Sequence, residues 1–120
     1  LHSEITVFTE FFGLESFVGK HKPEDPKELV LFDVQIDQIL LEPKLFLEHF
    51  GELNVAGVVY QGRLTGKFIN DVREGVYDVN EGVVCKGVDE GCLWMVKIKT
   101  LDYLERLKSA FADDWEAYWE

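Results

Sequence analysis

Apolar and polar residues alternate near the start of the chain. Over Glu4-Ile-Thr-Val-Phe-Thr-Glu10-Phe-Phe12 the two-residue period is that of a half-buried strand. Val7, Thr9 and Phe11 share one face of it, Phe8 and Glu10 the other. Gly13 and Gly19 interrupt the pattern, and Lys20-His-Lys-Pro-Glu-Asp-Pro-Lys27 reads as a polar loop. The near-continuous apolar run Leu29-Val-Leu-Phe-Asp-Val-Gln-Ile36 predicts a second strand buried on both faces. Pro43 stands where a helix can begin, Leu45, Phe46, Leu47, His49 and Phe50 give it an apolar side, and Gly51 ends it. Val55 to Tyr60 predicts another strand. Thr65 is a helix cap, with Phe68, Ile69 and Val72 on one side of the helix and Gly75 as its stop. Gly82 to Lys86 and Leu93 to Lys99 predict two strands joined by Gly87-Val-Asp-Glu-Gly91. Leu101, Leu104, Leu107, Phe111, Trp115 and Tyr118 recur at spacings of three and four, so one long amphipathic helix is expected from Leu101 to Trp119. The predicted class is α+β, a mainly antiparallel sheet with flanking helices.

Length and composition narrow this picture. A chain of 120 residues has room for a single domain over 1–120, and neither a repeat nor a linker divides it. Its apolar runs fall far short of the ~20 residues that span a bilayer, so no membrane role is expected. No basic segment leads into a signal-like apolar core, and the expected location is cytoplasmic. Twenty-three acids against twelve bases give a net charge of −11. Binding of nucleic acid by general phosphate neutralisation calls for the opposite sign, so any such contact has to come from a local cationic site or from segments outside this chain. Two cysteines, Cys85 and Cys92, do not make a disulfide framework or a zinc site. Both are expected to be reduced and packed.

Candidate chemistry is sparse. Gly62-Arg-Leu-Thr-Gly66-Lys67-Phe68 has the look of a phosphate-binding loop, but its glycines are one residue too close and Phe68 replaces the metal-binding hydroxyl. His2, His21 and His49 have no metal-ligand spacing, and His49 beside Phe50 is expected to be a partly buried packing residue. More informative is Asn80-Glu81-Gly82-Val-Val-Cys-Lys86, where an acid is followed at once by a glycine that admits a close backbone or ligand. In the next strand Lys97 and Lys99 leave from one face, while Trp94, Val96 and Ile98 point the other way, toward a core. Two adjacent ammonium groups repel unless an anion lies between them, and phosphate is the natural guest. The alternative is a solvated strand whose charges discourage edge pairing.

These residues also carry a family resemblance. Glu81-Gly-Val-Val-Cys-Lys86 and Met95-Val-Lys97-Ile-Lys99-Thr100 resemble motifs IV and V of the covalent nucleotidyltransferases, the superfamily of ATP-dependent RNA and DNA ligases and mRNA capping enzymes. Leu31-Phe32-Asp33-Val34 resembles motif IIIa, and Phe8-Thr9-Glu10-Phe11-Phe12-Gly13 resembles motif III. Val59-Tyr60-Gln-Gly62-Arg-Leu-Thr65, Asp71-Val-Arg-Glu-Gly75 and Tyr103-Leu-Glu-Arg-Leu-Lys108 are similar to the RNA ligase branch. The resemblance runs in order along nearly the whole chain and implies part of a nucleotidyltransferase (ATP-grasp-like ligase) domain, with ATP and Mg²⁺ as cofactors and RNA ends as partners of the complete parent domain. By the same resemblance Glu10 contacts the ribose, although Thr9 stands where the family often has glycine, and Phe32 stacks on the adenine. Glu81 serves the metal, and Lys97 and Lys99 hold the α-phosphate as the phosphoanhydride breaks. The implied activity is sealing of 5′-phosphate to 3′-hydroxyl ends through adenylylated intermediates, as in RNA repair.

One component of the family pattern is missing. The family reacts through a lysine in a Lys-x-Asp-Gly motif, and no lysine here stands in such a sequence: Lys20 precedes His-Lys-Pro and Lys67 precedes Phe-Ile-Asn. That motif lies ahead of motif III, so its place is expected before Leu1, and the chain alone is expected to be inactive. The alternatives are a non-catalytic binding or interaction module with a ligase-like fold, or part of a DNA ligase or capping enzyme. Asp113, Asp114, Glu116 and Glu120 among Trp115, Tyr118 and Trp119 predict an acidic amphipathic helix that docks its aromatics on the sheet, or a subunit contact through exposed tryptophans.

Overall fold

The computed structural model describes residues 3–13 and 22–118. Gly19, Lys20, Trp119, Glu120, His2 and His21 lie outside the described residues. The fold is α+β with two small antiparallel sheets and three α-helices among the described residues. The chain divides into two compact units, one of residues 1–58 and 86–94, the other of residues 59–85 and 95–120.

In the first unit, β1 (Ile5–Phe12), β2 (Glu28–Ile36) and β3 (Ile39–Leu40) form a three-stranded sheet in that order. The β1–β2 ladder pairs Phe8 with Asp33 and then Thr9 with Leu31, so Phe32 is a bulge without a partner on β1. Asp37 and Gln38, both at positive φ, turn the chain from β2 into β3. The expected double burial of β2 is confined to its middle, at Asp33 and Val34, because Leu29 at its start is 60% exposed. Helix α1 (Pro43–Phe50) has the predicted limits, with Pro43 in its first turn and Phe46 buried. His49 on it is exposed rather than packed, its ring 6.3 Å from that of Phe50.

The strand expected over 55–60 does not form. Val55 makes a single parallel bridge to Leu31, and Val58 is 54% exposed. In the second unit, Tyr60 donates a hydrogen bond to the Arg63 carbonyl at 3.0 Å and stacks on Phe68 at 4.4 Å. These side-chain contacts hold Tyr60, which pairs with no strand among the described residues. Helix α2 (Gly66–Arg73) begins as predicted, the Thr65 hydroxyl accepting from the Phe68 amide at 3.1 Å. It ends at Glu74, just before Gly75.

Strands β4 (Gly82–Asp89) and β5 (Cys92–Lys99) pair with each other and contribute residues to both units. They run further than predicted because Glu90 and Gly91, at φ 49° and 78°, turn the chain in two residues. Phe68, Val72 and Ile98 form the core of the second unit, with Ile69, Tyr77, Val83 and Cys85 against it. Helix α3 (Leu101–Phe111) adds the buried Tyr103 and Leu107.

The long terminal helix divides. At Ala112 the backbone takes φ 48°, and a 3₁₀ segment, η1 (Ala112–Tyr118), follows. Phe111 stacks on Tyr118 at 3.8 Å, and the Lys108 ammonium lies 4.7 Å from the Trp115 ring. These contacts tie Trp115 and Tyr118 to α3; Trp119, expected beside them, lies outside the described residues.

Candidate functional site

In the second unit the candidate residues are assembled by backbone contacts at the start of α3. Gly82 lets β4 close onto β5: a β-carbon there would overlap the Ile98 carbonyl oxygen and come within 2.9 Å of Lys99 Cα. The close partner that glycine admits is thus the neighbouring strand. The Thr100 amide donates to the Glu81 carbonyl at 2.9 Å. The Thr100 hydroxyl accepts from the Tyr103 amide at 3.1 Å as the cap of α3, and donates to the Asn80 carbonyl at 3.2 Å. Arg106 donates to that same Asn80 carbonyl at 3.1 Å. Residues 80–82 are pinned on both sides.

This framework brings Glu81 and Lys99 into an ion pair, with side chains 25% and 7% exposed. The Lys99 ammonium also lies 5.2 Å from the Tyr103 ring, an apolar floor that favours a paired over an unpaired cation. Lys97 is exposed and has no ion-pair partner among the described residues. The expected symmetric lysine pair is therefore unequal: one ammonium is buried and neutralised, the other is open to solvent.

The neighbours of that pair depart from the alternation expected of them. Ile98 joins the core, but Trp94 and Val96 are 37% and 41% exposed. Ile98, near the end of β5, packs against Phe68 and Val72 of α2. Trp94, in the first unit, instead covers Gly87, its Nε1 2.7 Å from where a β-carbon would stand.

The first unit holds the other two candidates. Glu10 is exposed, opposite Val30 in the ladder, with no ion-pair partner among the described residues. Phe32 is half-buried, its ring centroid 6.3 Å from that of Phe8. Beside it the Lys86 ammonium pairs with the Asp33 carboxylate at 2.8 Å, side chains 17% and 7% exposed, and donates to the Phe32 carbonyl at 2.6 Å. The sequence pattern assigns neither Asp33 nor Lys86 a role. The only sequence signal is that each carries a charge in an otherwise apolar strand.

The cysteines differ from each other. Cys85 is half-buried and burial pushes its thiol up, whereas Cys92 is exposed and not packed as expected. Among the described residues no group of three or more His, Cys, Asp or Glu side chains could hold a metal ion, and no helix is long and apolar enough to cross a membrane. No family model, curated protein or solved structure matches the chain.

Proposed function

We propose that this chain supplies the nucleotide and phosphate contacts of an ATP-dependent RNA ligase core, part of a nucleotidyltransferase domain acting on RNA ends. The observation that carries the proposal is Glu81 held against Lys99 at the start of α3, with exposed Lys97 on the same strand face. A magnesium ion bound with phosphates needs only one or two protein carboxylates, so Glu81 suits it without a multidentate cluster. Magnesium would claim Glu81, and the phosphates Lys99 and Lys97, so each charge of the existing pair would gain a new partner. Glu10 and Phe32 are assigned to ribose and base by the resemblance alone. None of the lysines occupies a Lys-x-Asp-Gly sequence, so the proposed role is binding, and the covalent lysyl-adenylate belongs to a nucleophile outside these 120 residues.

The mutual neutralisation of Glu81 and Lys99 also fits a non-catalytic interaction module, since a matched pair needs no ligand. Calorimetric titration decides between them. ATP with magnesium, and inorganic tripolyphosphate, should bind the wild-type chain and bind Lys97→Ala about tenfold more weakly or worse, as expected for one lost charged hydrogen bond. Absence of binding by both ligands favours the interaction module. Preference for GTP over ATP points to a capping-type relative, and radiolabel retained on the denatured chain after incubation with ATP contradicts the missing nucleophile.

A further inference from the structure

We infer that Lys86 is a positioning residue that sets the Phe32 ring for stacking on a purine base; the base itself rests on the nucleotide reading above. Phe32 is the one residue of β2 between Leu31 and Asp33 that the β1 ladder skips, so it has no partner on β1. A bulge of this kind leaves one residue unpaired and re-aims its side chain. Lys86 contacts it from a position 54 residues away in sequence, donating to the Phe32 carbonyl at 2.6 Å. The same ammonium is anchored by Asp33 at 2.8 Å, the residue that resumes the ladder, opposite Phe8. It stands 6.0 Å from the Phe32 ring centroid and 5.6 Å from that of Phe46. With both side chains of the ion pair largely out of water, the charged hydrogen bond to the bulge carbonyl is stronger than a surface one. An ammonium has three donors, and here two are spent on consecutive residues of one strand, clamping the bulge between them. Phe8, 6.3 Å from Phe32 across the ladder, backs the ring.

The test compares Lys86→Met, which keeps the apolar stem alone, with Lys86→Arg, which keeps charge and donors. In the free full chain, nuclear Overhauser contacts between the Phe8 and Phe32 rings should weaken in Lys86→Met and return in Lys86→Arg. Mg·ATP should bind Lys86→Met about tenfold more weakly, within the range measured for loss of one base–aromatic stack, while tripolyphosphate, which has no base, binds as to wild type. Should Lys86→Met fail to fold, Lys86→Gln, a neutral donor one bond shorter, carries the same comparison. Ring contacts unmoved by the substitution, or equal losses for ATP and tripolyphosphate, overturn the inference and leave Lys86 a support of the fold. Wild-type chain that binds neither ligand while the Phe32 ring still follows Lys86 overturns the nucleotide reading and leaves the clamp standing.

Discussion

Gly82 and Ile98 are in such close backbone contact that a side chain at position 82 has nowhere to go. The contact is backbone against backbone, so relief requires the two strands to part. Gly82→Ala should therefore destabilise the chain by about 1–3 kcal/mol, the usual cost of overpacking. It should also loosen the attachment of Glu81 to Thr100. Urea unfolding measures the first effect, and faster exchange of the Thr100 amide proton, which donates to the Glu81 carbonyl, reports the second. An alanine variant as stable as wild type would mean the strands do not meet this closely.

Lys97 and Lys99 should respond in opposite ways to substitution. Lys97 is exposed and unpaired among the described residues, so Lys97→Ala should change stability by less than about 0.5 kcal/mol. Lys99→Met strands a Glu81 carboxylate that is 25% exposed. Complete burial of such an orphan costs about 3–5 kcal/mol, and partial exposure brings the expected loss to about 1–3 kcal/mol. Adding Glu81→Gln to Lys99→Met should recover part of that loss, which a double-mutant cycle by urea unfolding reads directly.

The thiols should separate by reactivity. Cys92 is exposed and should alkylate first, with Cys85 following slowly, as peptide mass mapping after a short iodoacetamide pulse would show. Burial raises the Cys85 thiol, so the folded chain keeps that proton to a higher pH than the unfolded chain does. Its contribution is intact below the ordinary thiol range. Stability should then fall as pH rises through that range toward the folded value, and the fall should be smaller in Cys85→Ala.

Ala112 holds φ 48° with ψ −122°, a combination that costs an L-residue strain and costs glycine little. Ala112→Gly should raise stability by about 1 kcal/mol, or a few degrees in Tm. A loss would mean that the chain does not break at this residue.

The helices were legible in the sequence wherever a local signal exists. Pro43 and Gly51 bracket α1, and Thr65 caps α2, because caps and stops act within one turn of the residue that makes them. The end of the terminal helix is not legible in this way: spacings of three and four persist through Trp115 and Tyr118, while the chain reverses at Ala112, where Phe111 stacks on Tyr118 and Lys108 meets Trp115. The segment around Val58 and Tyr60 has the composition of a strand, yet among the described residues neither of the two belongs to a strand.

The sequence by itself determined the α+β class, the helix starts, and the placing of Glu81 immediately ahead of a strand that pairs with the one bearing Lys97 and Lys99. These follow from periodicity and capping, which are properties of neighbouring residues. Only the tertiary structure decided that Lys99 is buried against Glu81 while Lys97 is exposed, and that Lys86 grips the bulge at Phe32. Strand parity assigns a side chain to a face. Whether that face is covered, and by which charge, depends on segments 18 and 54 residues apart in sequence.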